Sequence, residues 1–368
     1  MKPSGSCLPA KAGGRSSPVF TAAEHRWSAE ETTPSEVEAA LRDLVVDCHA
    51  AQPDLALARA LNLICVLDAG SIGALANRLQ GVGRYHGWRT VVCEVEPGRS
   101  SLGATVSVVT DYPSGELGPP VLRENVSLTF GELRALPSVI GPLVVPDLTT
   151  VVWLLHRDRT ALDALLEIAQ VVLCDSADEP EVADALARAG ELSERAYVVD
   201  LAWLRATPWR ERAAALFDSP GRSDALKSIR VVAVRHHPES VPAAALLVGW
   251  LGSRLGWRPE VLHRTGQGLA GSVTGSEEVE LRLEPTQQEV RGLAGITVEA
   301  DGGLRLSLDR AAGGLSVREQ AHGGDERSWT MLGASRGERG IVGEGIRQAL
   351  LRDPTYRPAL EFARELIP

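Results

Sequence analysis

Apolar runs of strand length alternate with helical segments over most of this chain. The run from residue 59 to 68 is almost continuously apolar, which is typical of a strand that is covered on both faces. A helical segment follows at residues 74–79 and a second strand at residues 90–95, so this stretch predicts a βαβ unit. Strands that alternate with helices in this way form parallel sheets.

Two other patterns follow along the chain. Residues 104–108 and 124–129 alternate apolar and polar side chains, which indicates strands with one buried face and makes the first sheet mixed. A second series of strands and helices from residue 136 to 255 predicts a parallel sheet with helices on both faces. After residue 270, short alternating segments around glycine pairs predict an antiparallel meander, closed by a helix from about Tyr356 to Ile367.

These patterns predict an α/β protein with three ordered regions behind a flexible tail. The tail is rich in Ser, Gly and Pro and has no apolar period. Ser35 and Glu38 have the spacing of a capping box, so the first helix should begin there. The predicted boundaries are 1–34 for the tail, 35–157 for a mixed α/β domain, 158–270 for a parallel-sheet α/β region and 271–368 for a β-rich region, and the last two regions could form one domain.

Composition and charge exclude several classes of function. The net charge of −10 comes from 48 acidic and 38 basic residues spread along the chain, which argues against a nucleic-acid surface. Apolar runs are too short to cross a bilayer, so we expect no membrane partner. The five cysteines form no C-x-x-C pair, and Cys65, Cys93 and Cys174 lie in strand-like runs. We therefore expect buried thiols and a reducing, cytoplasmic location.

Two glycine-rich turns could bind an anion. Gly81–Gly87 lies between a helix and a strand, the reverse of the order that a dinucleotide site needs, so we interpret it as a plain loop. Gly70, Ser71 and Gly73 lie between a strand and a helix, where free N–H groups could hold a phosphate. No P-loop lysine follows, so a simple connection is the competing interpretation.

The chain shows no local catalytic or metal-binding motif. His236 and His237 are adjacent on a strand and point to opposite faces, so both cannot easily bind one ion. A triad of Ser176, Asp200 and His236 could be assembled only by assumption, because no nucleophile elbow is present. We therefore expect no catalytic residues and no cofactor.

Tryptophan and arginine are concentrated in one polar segment, where the pattern predicts a helix that begins at Pro208 with Thr207 as its N-cap. Both residue types are common at protein interface hot spots. The segment therefore predicts a partner-binding surface, and the alternative is a core in which Asp200 or Glu211 anchors the indoles. The candidate residues are Trp203, Arg205, Trp209, Arg210 and Arg212.

Three motifs resemble the OpcA family, the glucose-6-phosphate dehydrogenase assembly proteins. Residues 138–153, with Pro142-Leu143-Val144-Val145-Pro146-Asp147-Leu148, resemble its "PLLVPDLPVFLWW" stretch. Residues 200–217 look like its "DLNWxRLTPWRELLAQLFD" segment, and residues 245–257 look like its "LLLAGWLASRLGW" helix. The motifs occur in the family's order and, with residues 61–66 and 89–95, cover residues 40 to 260.

The resemblance implies a function without catalysis. Members of this family bind glucose-6-phosphate dehydrogenase in cyanobacteria and actinobacteria and promote its assembly or allosteric activation, which supplies NADPH through the pentose phosphate pathway. Here it implies the same partner and adds Asp147 and Trp153 to the candidate contacts. Leu122-Arg123 stands where many members carry paired cysteines, so redox control is not expected. The alternative function is a sugar-phosphate or nucleotide sensor or enzyme that uses the turn from Gly70 to Gly73.

Overall fold

The computed structural model describes residues 24–53, 59–79, 87–111, 121–155, 160–218, 222–266, 268–321, 325–332 and 338–368. The chain divides into two compact units, the first ending at Leu173 and the second beginning at Cys174. The predicted loop at residues 81–86 lies outside the described residues. Among the residues described, no helix has the length and apolar character that crossing a membrane requires.

The first unit is built around a mixed sheet, as predicted. Five strands run parallel to their neighbours, and two antiparallel strands, β4 and β1, extend one side, so the order is β1-β4-β5-β3-β2-β6-β7. The elements are β1 (Glu24–Thr32), α1 (Pro34–Ala51), β2 (Arg59–Asp68), α2 (Ile72–Leu79), β3 (Gly87–Val95), β4 (Leu102–Asp111), β5 (Val121–Phe130), α3 (Leu136–Ile140), β6 (Thr149–Leu154), α4 (Thr160–Leu165) and β7 (Val171–Cys174).

The second unit contains an eight-stranded sheet in the order β10-β11-β12-β9-β13-β14-β15-β16. Strands β13 to β16 form the predicted antiparallel meander. The elements are α5 (Val182–Ser193), β8 (Tyr197–Asp200), α6 (Leu201–Phe217), β9 (Ile229–His236), α7 (Val241–Leu255), β10 (His263–Thr265), β11 (Gly268–Thr274), β12 (Glu278–Pro285), β13 (Leu293–Ala300), β14 (Leu304–Ala311), β15 (Gly314–Gln320), β16 (Glu326–Leu332), α8 (Glu338–Gln348) and α9 (Tyr356–Leu366).

Helices α7 and α9 pack closely because glycines lie between them. A Cβ atom at Gly249 would lie 2.1 Å from the carbonyl oxygen of Ala359, and one at Gly252 would lie 2.2 Å from the ring of Phe362. Larger side chains at these positions would push the helices apart. The glycines of the third family-like motif therefore hold the terminal helix in place.

The α/β class is confirmed, but three details of the sequence interpretation are wrong. Residues 24–34 belong to β1 and to the start of α1, so the tail does not extend to residue 34. The capping box is formed by Thr33 and Glu36, two residues before Ser35 and Glu38, with Pro34 in the first turn. Strands β7 and β9 join different sheets, so residues 158–270 form no separate parallel sheet. The boundary between the two units falls after residue 173, inside the predicted 158–270 region, and the rest of that region lies in one unit with residues 271–368.

Candidate functional site

Asp200 joins the start of α6 to two distant parts of the second unit. It is fully buried and is the N-cap of the helix, where its Oδ1 accepts hydrogen bonds from the N–H groups of Ala202 (2.9 Å) and Ser176 (3.1 Å). Its Oδ2 accepts from the hydroxyl of Ser176 and from that of Tyr356, at 3.2 Å. Four donors therefore satisfy a carboxylate that has no access to water.

A buried ion pair lies beside this carboxylate. Arg205 donates from Nη1 and Nη2 to the two oxygens of Asp175, at 2.8 and 2.7 Å. The side chains of Arg205 and Asp175 are 5% and 2% exposed. Parallel bonds of this kind are the strongest geometry available to arginine and a carboxylate.

Trp203 and Arg210 form a second buried group on the same helix. The Arg210 guanidinium carbon lies 3.3 Å from the centre of the Trp203 ring, and Nη1 of Arg210 donates to the Trp203 carbonyl at 2.7 Å. The Trp203 indole N–H donates to Asp353 at 2.9 Å, and its ring meets that of Tyr356 edge to face. Burial lowers the pKa of Arg210 to about 9.

Pro208 lies inside α6, so the predicted helix start at Thr207 and Pro208 is wrong. The helix begins seven residues before Pro208, at Leu201. An internal proline removes one backbone donor and crowds the preceding turn. Arg210 donates to the Trp203 carbonyl and, at 3.0 Å, to the hydroxyl of Thr207, so its side chain supplies hydrogen bonds to the turn that precedes Pro208.

The expectation that these groups face outward is wrong for most of them. They are buried, as in the core interpretation, although the indole of Trp203 donates to Asp353 rather than to Asp200 or Glu211. The tryptophan side chains are buried by packing, and Trp203 contacts a partner that lies 150 residues away in the sequence. Arg212 is partly exposed, at 16% of its side chain, and Asp147 is exposed. The buried candidates are Trp203 and Trp209 (2% exposed each), Arg205 and Arg210 (7% each) and Trp153 (1%).

Asp147 stands at a turn that β2 holds in place. Its φ angle is +67°, a left-handed conformation that aspartate tolerates better than most residues. The Asn62 side chain accepts from the N–H of Val145 (3.0 Å) and donates to the carbonyl of Val145 (3.1 Å). A buried amide therefore fixes the backbone two residues before an exposed carboxylate.

The turn from Gly70 to Gly73 is occupied by an acidic side chain of its own unit. The N–H of Gly70 donates to the carboxylate of Glu94, and the N–H of Ser71 donates to the carbonyl of Asp68. A phosphate at this turn would meet a like charge at the first donor. This contact disfavours the anion-binding interpretation.

The other candidate groups act locally. His236 is buried and its Nδ1 contacts the carbonyl of His237, while His237 accepts from the N–H of Glu239 and caps a short turn. Burial raises the pKa of the Cys65 and Cys93 thiols, which keeps them protonated. Within the described ranges, no cluster of three or more acidic, histidine or cysteine side chains could hold a metal ion.

Asp353 and Tyr356 belong to the same buried cluster as Trp203 and Asp200, and the sequence interpretation missed them. Asp353 accepts from Trp203 and from the backbone and side chain of Thr355, and its own N–H donates to the hydroxyl of Tyr197. These contacts join parts of the chain about 150 residues apart. No spacing rule links such positions, so only the fold reveals them.

Burial, together with the charge of Asp175, raises the pKa of Asp200 from 3.8 to about 6. Because the folded protein then binds this proton more tightly than the unfolded chain, stability is lost as the pH rises through 6. The native protein loses this contribution as the pH rises and Asp200→Asn does not. The unfolding free energy of Asp200→Asn minus that of the native protein is therefore expected to rise by about 2 kcal/mol from pH 4.5 to pH 7. Urea titrations at both pH values measure it.

Asp218→Asn, at the exposed end of the same helix, controls for the change in net charge. If the unfolding free energy of Asp200→Asn minus that of the native protein stays constant or falls as the pH rises, the expectation is wrong.

Two domain models of one family match this chain in sequence. One describes the N-terminal domain of a glucose-6-phosphate dehydrogenase subunit and matches residues 81–191. The other describes the C-terminal domain of the same kind of subunit and matches residues 196–360. Together they cover well over half of the chain. The resemblance found from the three motifs is confirmed.

Curated relatives point to the same family. The OxPP cycle protein OpcA of Synechococcus elongatus is 28% identical over 222 residues, which are 58% of this chain and 48% of that protein. The protein of the same name from Synechocystis is 30% identical over 136 residues, 36% of this chain and 28% of that protein. The matches thus span at most about half the length of these relatives.

Solved structures resemble the fold only distantly. An oxidoreductase from Sinorhizobium meliloti shares 12% identity at a TM-score of 0.48, over 84% of this chain and 96% of that one. An inositol dehydrogenase homologue from Azotobacter vinelandii has a TM-score of 0.47. At this level the likeness carries no argument about function. The domain matches decide the family: the chain belongs to the OpcA family, whose two domains are described as those of a glucose-6-phosphate dehydrogenase subunit.

Proposed function

We propose that this chain is a non-catalytic accessory protein that binds glucose-6-phosphate dehydrogenase and promotes its assembly or activation. The observation that carries the proposal is the ordered match of both family domains, each described as part of a subunit of that enzyme. The three sequence motifs lie within or beside these matches. The proposal places the chain in the cytoplasm with the dehydrogenase as its partner.

The chemistry of α6 supports a framework role for the family-like segment. Three side chains of this segment have hydrogen-bond partners inside the unit. The partners of Asp200, Arg205 and Trp203 are Ser176, Asp175 and Asp353. Groups held in this way keep a helix and its surroundings rigid. Contacts with a partner are then expected from the exposed residues that this framework positions.

One such surface lies where the second half of α6 meets the end of β16. We call it the α6–β16 surface and define it by Glu211, Arg212 and Leu332. Nη2 of Arg212 donates to the carbonyl of Leu332 at 3.0 Å, and the Leu332 side chain is 84% exposed. Protein interfaces have an apolar centre and a polar rim, and in this proposal Leu332 supplies the first while Arg212 and Glu211 supply the second. Asp147 of the first unit stays a separate candidate contact.

Binding can activate an enzyme without any chemistry by the bound protein. If the chain binds the active oligomer more tightly than the inactive form, it shifts the population toward the active form. A difference of about 1.4 kcal/mol in binding free energy gives a tenfold shift.

The dehydrogenase from the same cell tests this proposal directly. A molar excess of the full chain is expected to raise its specific activity and to form a complex of larger mass, measured by enzyme assay and by sedimentation. Unchanged activity together with unchanged mass would refute the proposed function.

Leu332→Asp is expected to weaken this complex about tenfold while the fold stays intact, because it places a charge at an apolar anchor. Val261→Asp is the matched control, since Val261 is also exposed (49%) but lies beside β10, at the opposite edge of the same sheet. Titration of the dehydrogenase with each variant gives the two affinities. Equal affinities would remove the α6–β16 surface as the contact.

A further inference from the structure

Arg310 is a half-buried arginine at the end of β14. It lies on the same face of the strand as Leu306 and Leu308, which are buried, because alternate residues of a strand share a face. Its Nη2 donates to the carbonyl of Leu293 at 2.7 Å, and this is the one hydrogen bond that Arg310 makes to the described residues. Its Nε is buried and, within the same residues, has no hydrogen-bond partner. Arg310 therefore has unused donors, including both N–H bonds of Nη1.

The charge of Arg310 has no acidic partner within the described ranges. Burial lowers the pKa of Arg310, and no neighbouring carboxylate raises it. A buried donor or charge without a partner is unfavourable, and folded proteins usually provide one from another side chain, from water or from a bound ion. The free end of this guanidinium is therefore a place where a group from outside the chain can bind.

Two other arginines lie beside Gly292, and both are paired with carboxylates. The guanidinium of Arg205 donates to both oxygens of Asp175. Arg291, the residue before Gly292, donates to two carboxylates, at 2.9 Å each. Arg310 lies against the same glycine, where a Cβ atom would be 3.9 Å from its Nη2 and 3.7 Å from Cβ of Arg205. Of these three arginines, Arg310 alone has no carboxylate partner among the described residues.

We propose that Arg310 binds an oxyanion, a phosphate or carboxylate group, at the free end of its guanidinium beside Gly292. This inference does not depend on the proposed function. A guanidinium presents parallel N–H donors that match the oxygens of either group. Gly292 suits such a site because a side chain there would contact Nη2 of Arg310. Its φ angle of +109° also favours glycine, and its N–H and carbonyl are held by the hydroxyl of Ser240 and the N–H of His237, at 2.9 Å each.

Calorimetric titration of the full chain with inorganic phosphate and, separately, with glutarate tests the site at constant ionic strength. At least one of these anions is expected to bind the native protein, and the one that binds more tightly identifies the chemical group. Arg310→Met keeps an apolar stem but removes the charge, so it is expected to weaken this binding about tenfold or more. Arg305→Met is the matched control, because Arg305 lies on the other face of β14, is 57% exposed and is paired with Glu299.

Arg310→Lys provides a second variant in case Arg310→Met does not fold. Lysine keeps the positive charge but lacks the parallel donors, so an affinity between those of the native protein and Arg310→Met is expected. If Arg310→Lys binds as tightly as the native protein, the parallel donors are not used and the proposed geometry is wrong.

Other outcomes would overturn the site itself. Binding of neither anion to the native protein excludes it. Binding that Arg310→Met weakens no more than Arg305→Met does excludes Arg310 as the donor. A lower melting temperature of Arg310→Met together with unchanged anion binding would assign Arg310 the structural role of joining β14 to Leu293 instead.

Discussion

Replacing Arg205 with alanine is expected to destabilise the second unit by about 3–5 kcal/mol. The substitution leaves the Asp175 carboxylate without the two hydrogen bonds that it accepts from Arg205, in a place where its side chain is 2% exposed. It also leaves the charge of Asp175 without its partner close to a second carboxylate, since Asp175 contributes to the raised pKa of Asp200. Urea unfolding, followed by hydrogen exchange of the α6 amides, measures the loss.

Arg212→Ala is the matched control on the same helix. Its guanidinium donates to the carbonyls of Pro208 and Leu332 and contacts Glu211 at 3.8 Å, so no buried carboxylate loses its partner. A loss of about 1 kcal/mol or less is expected. If Arg205→Ala kept its stability but lost the dehydrogenase, Arg205 would be a contact residue and the core interpretation would be wrong.

Local pattern was enough to find most of the elements. Strand β2 and helix α7 could be predicted because nearly all of their consecutive residues are apolar and buried. The start of α6 could not, because proline is most common in the first turn of a helix and the pattern therefore favours Pro208 as its beginning. The cap at Asp200 and the side chain of Arg210 make the longer helix possible, and their partners become apparent only in the fold.

The sequence could not decide whether the Trp and Arg residues are buried or exposed. The same residue types are suited to an interface hot spot and to a core with polar partners, since both need apolar area and directional donors. Asp353 and Tyr356 settle the matter for Trp203 and Asp200, and they lie about 150 residues further along the chain. The prediction that the tail reaches residue 34 was wrong for a related reason, because β1 is held by pairing with β4 rather than by its own apolar content.

The first unit has its own buried charged cluster, centred on Glu124. This carboxylate is 2% exposed and accepts hydrogen bonds from Nε of Arg89 (2.6 Å) and Nε of Arg59 (2.8 Å). Arg89 also donates to the carbonyl of Leu143 at 2.7 Å. The cluster therefore joins β2, β3 and β5 to the segment that leads into the turn at Asp147.

Glu124→Ala is expected to destabilise the first unit by about 3–5 kcal/mol, because it leaves Arg89 buried with its closest carboxylate removed. Glu38, at 3.7 Å from Arg89, is too distant to replace the lost hydrogen bonds. Thermal and urea unfolding, with hydrogen exchange of the β3 and β5 amides, measure the effect. Glu132→Ala is the control, since its ion pair with Arg134 is largely exposed and screened by water, so little change in stability is expected.

The double variant Glu124→Leu with Arg89→Met separates the charge from the packing. Replacing a buried ion pair by apolar groups of similar volume is often neutral or stabilising, whereas removing one partner is not. The double variant is therefore expected to recover most of the stability that Glu124→Ala loses, although Arg59 keeps its 30% exposure to water and no longer has a carboxylate partner. If the double variant is as unstable as Glu124→Ala, losing the hydrogen bond from Arg89 to Leu143 costs as much as leaving Arg89 without its carboxylate, and the unpaired charge alone does not explain the instability.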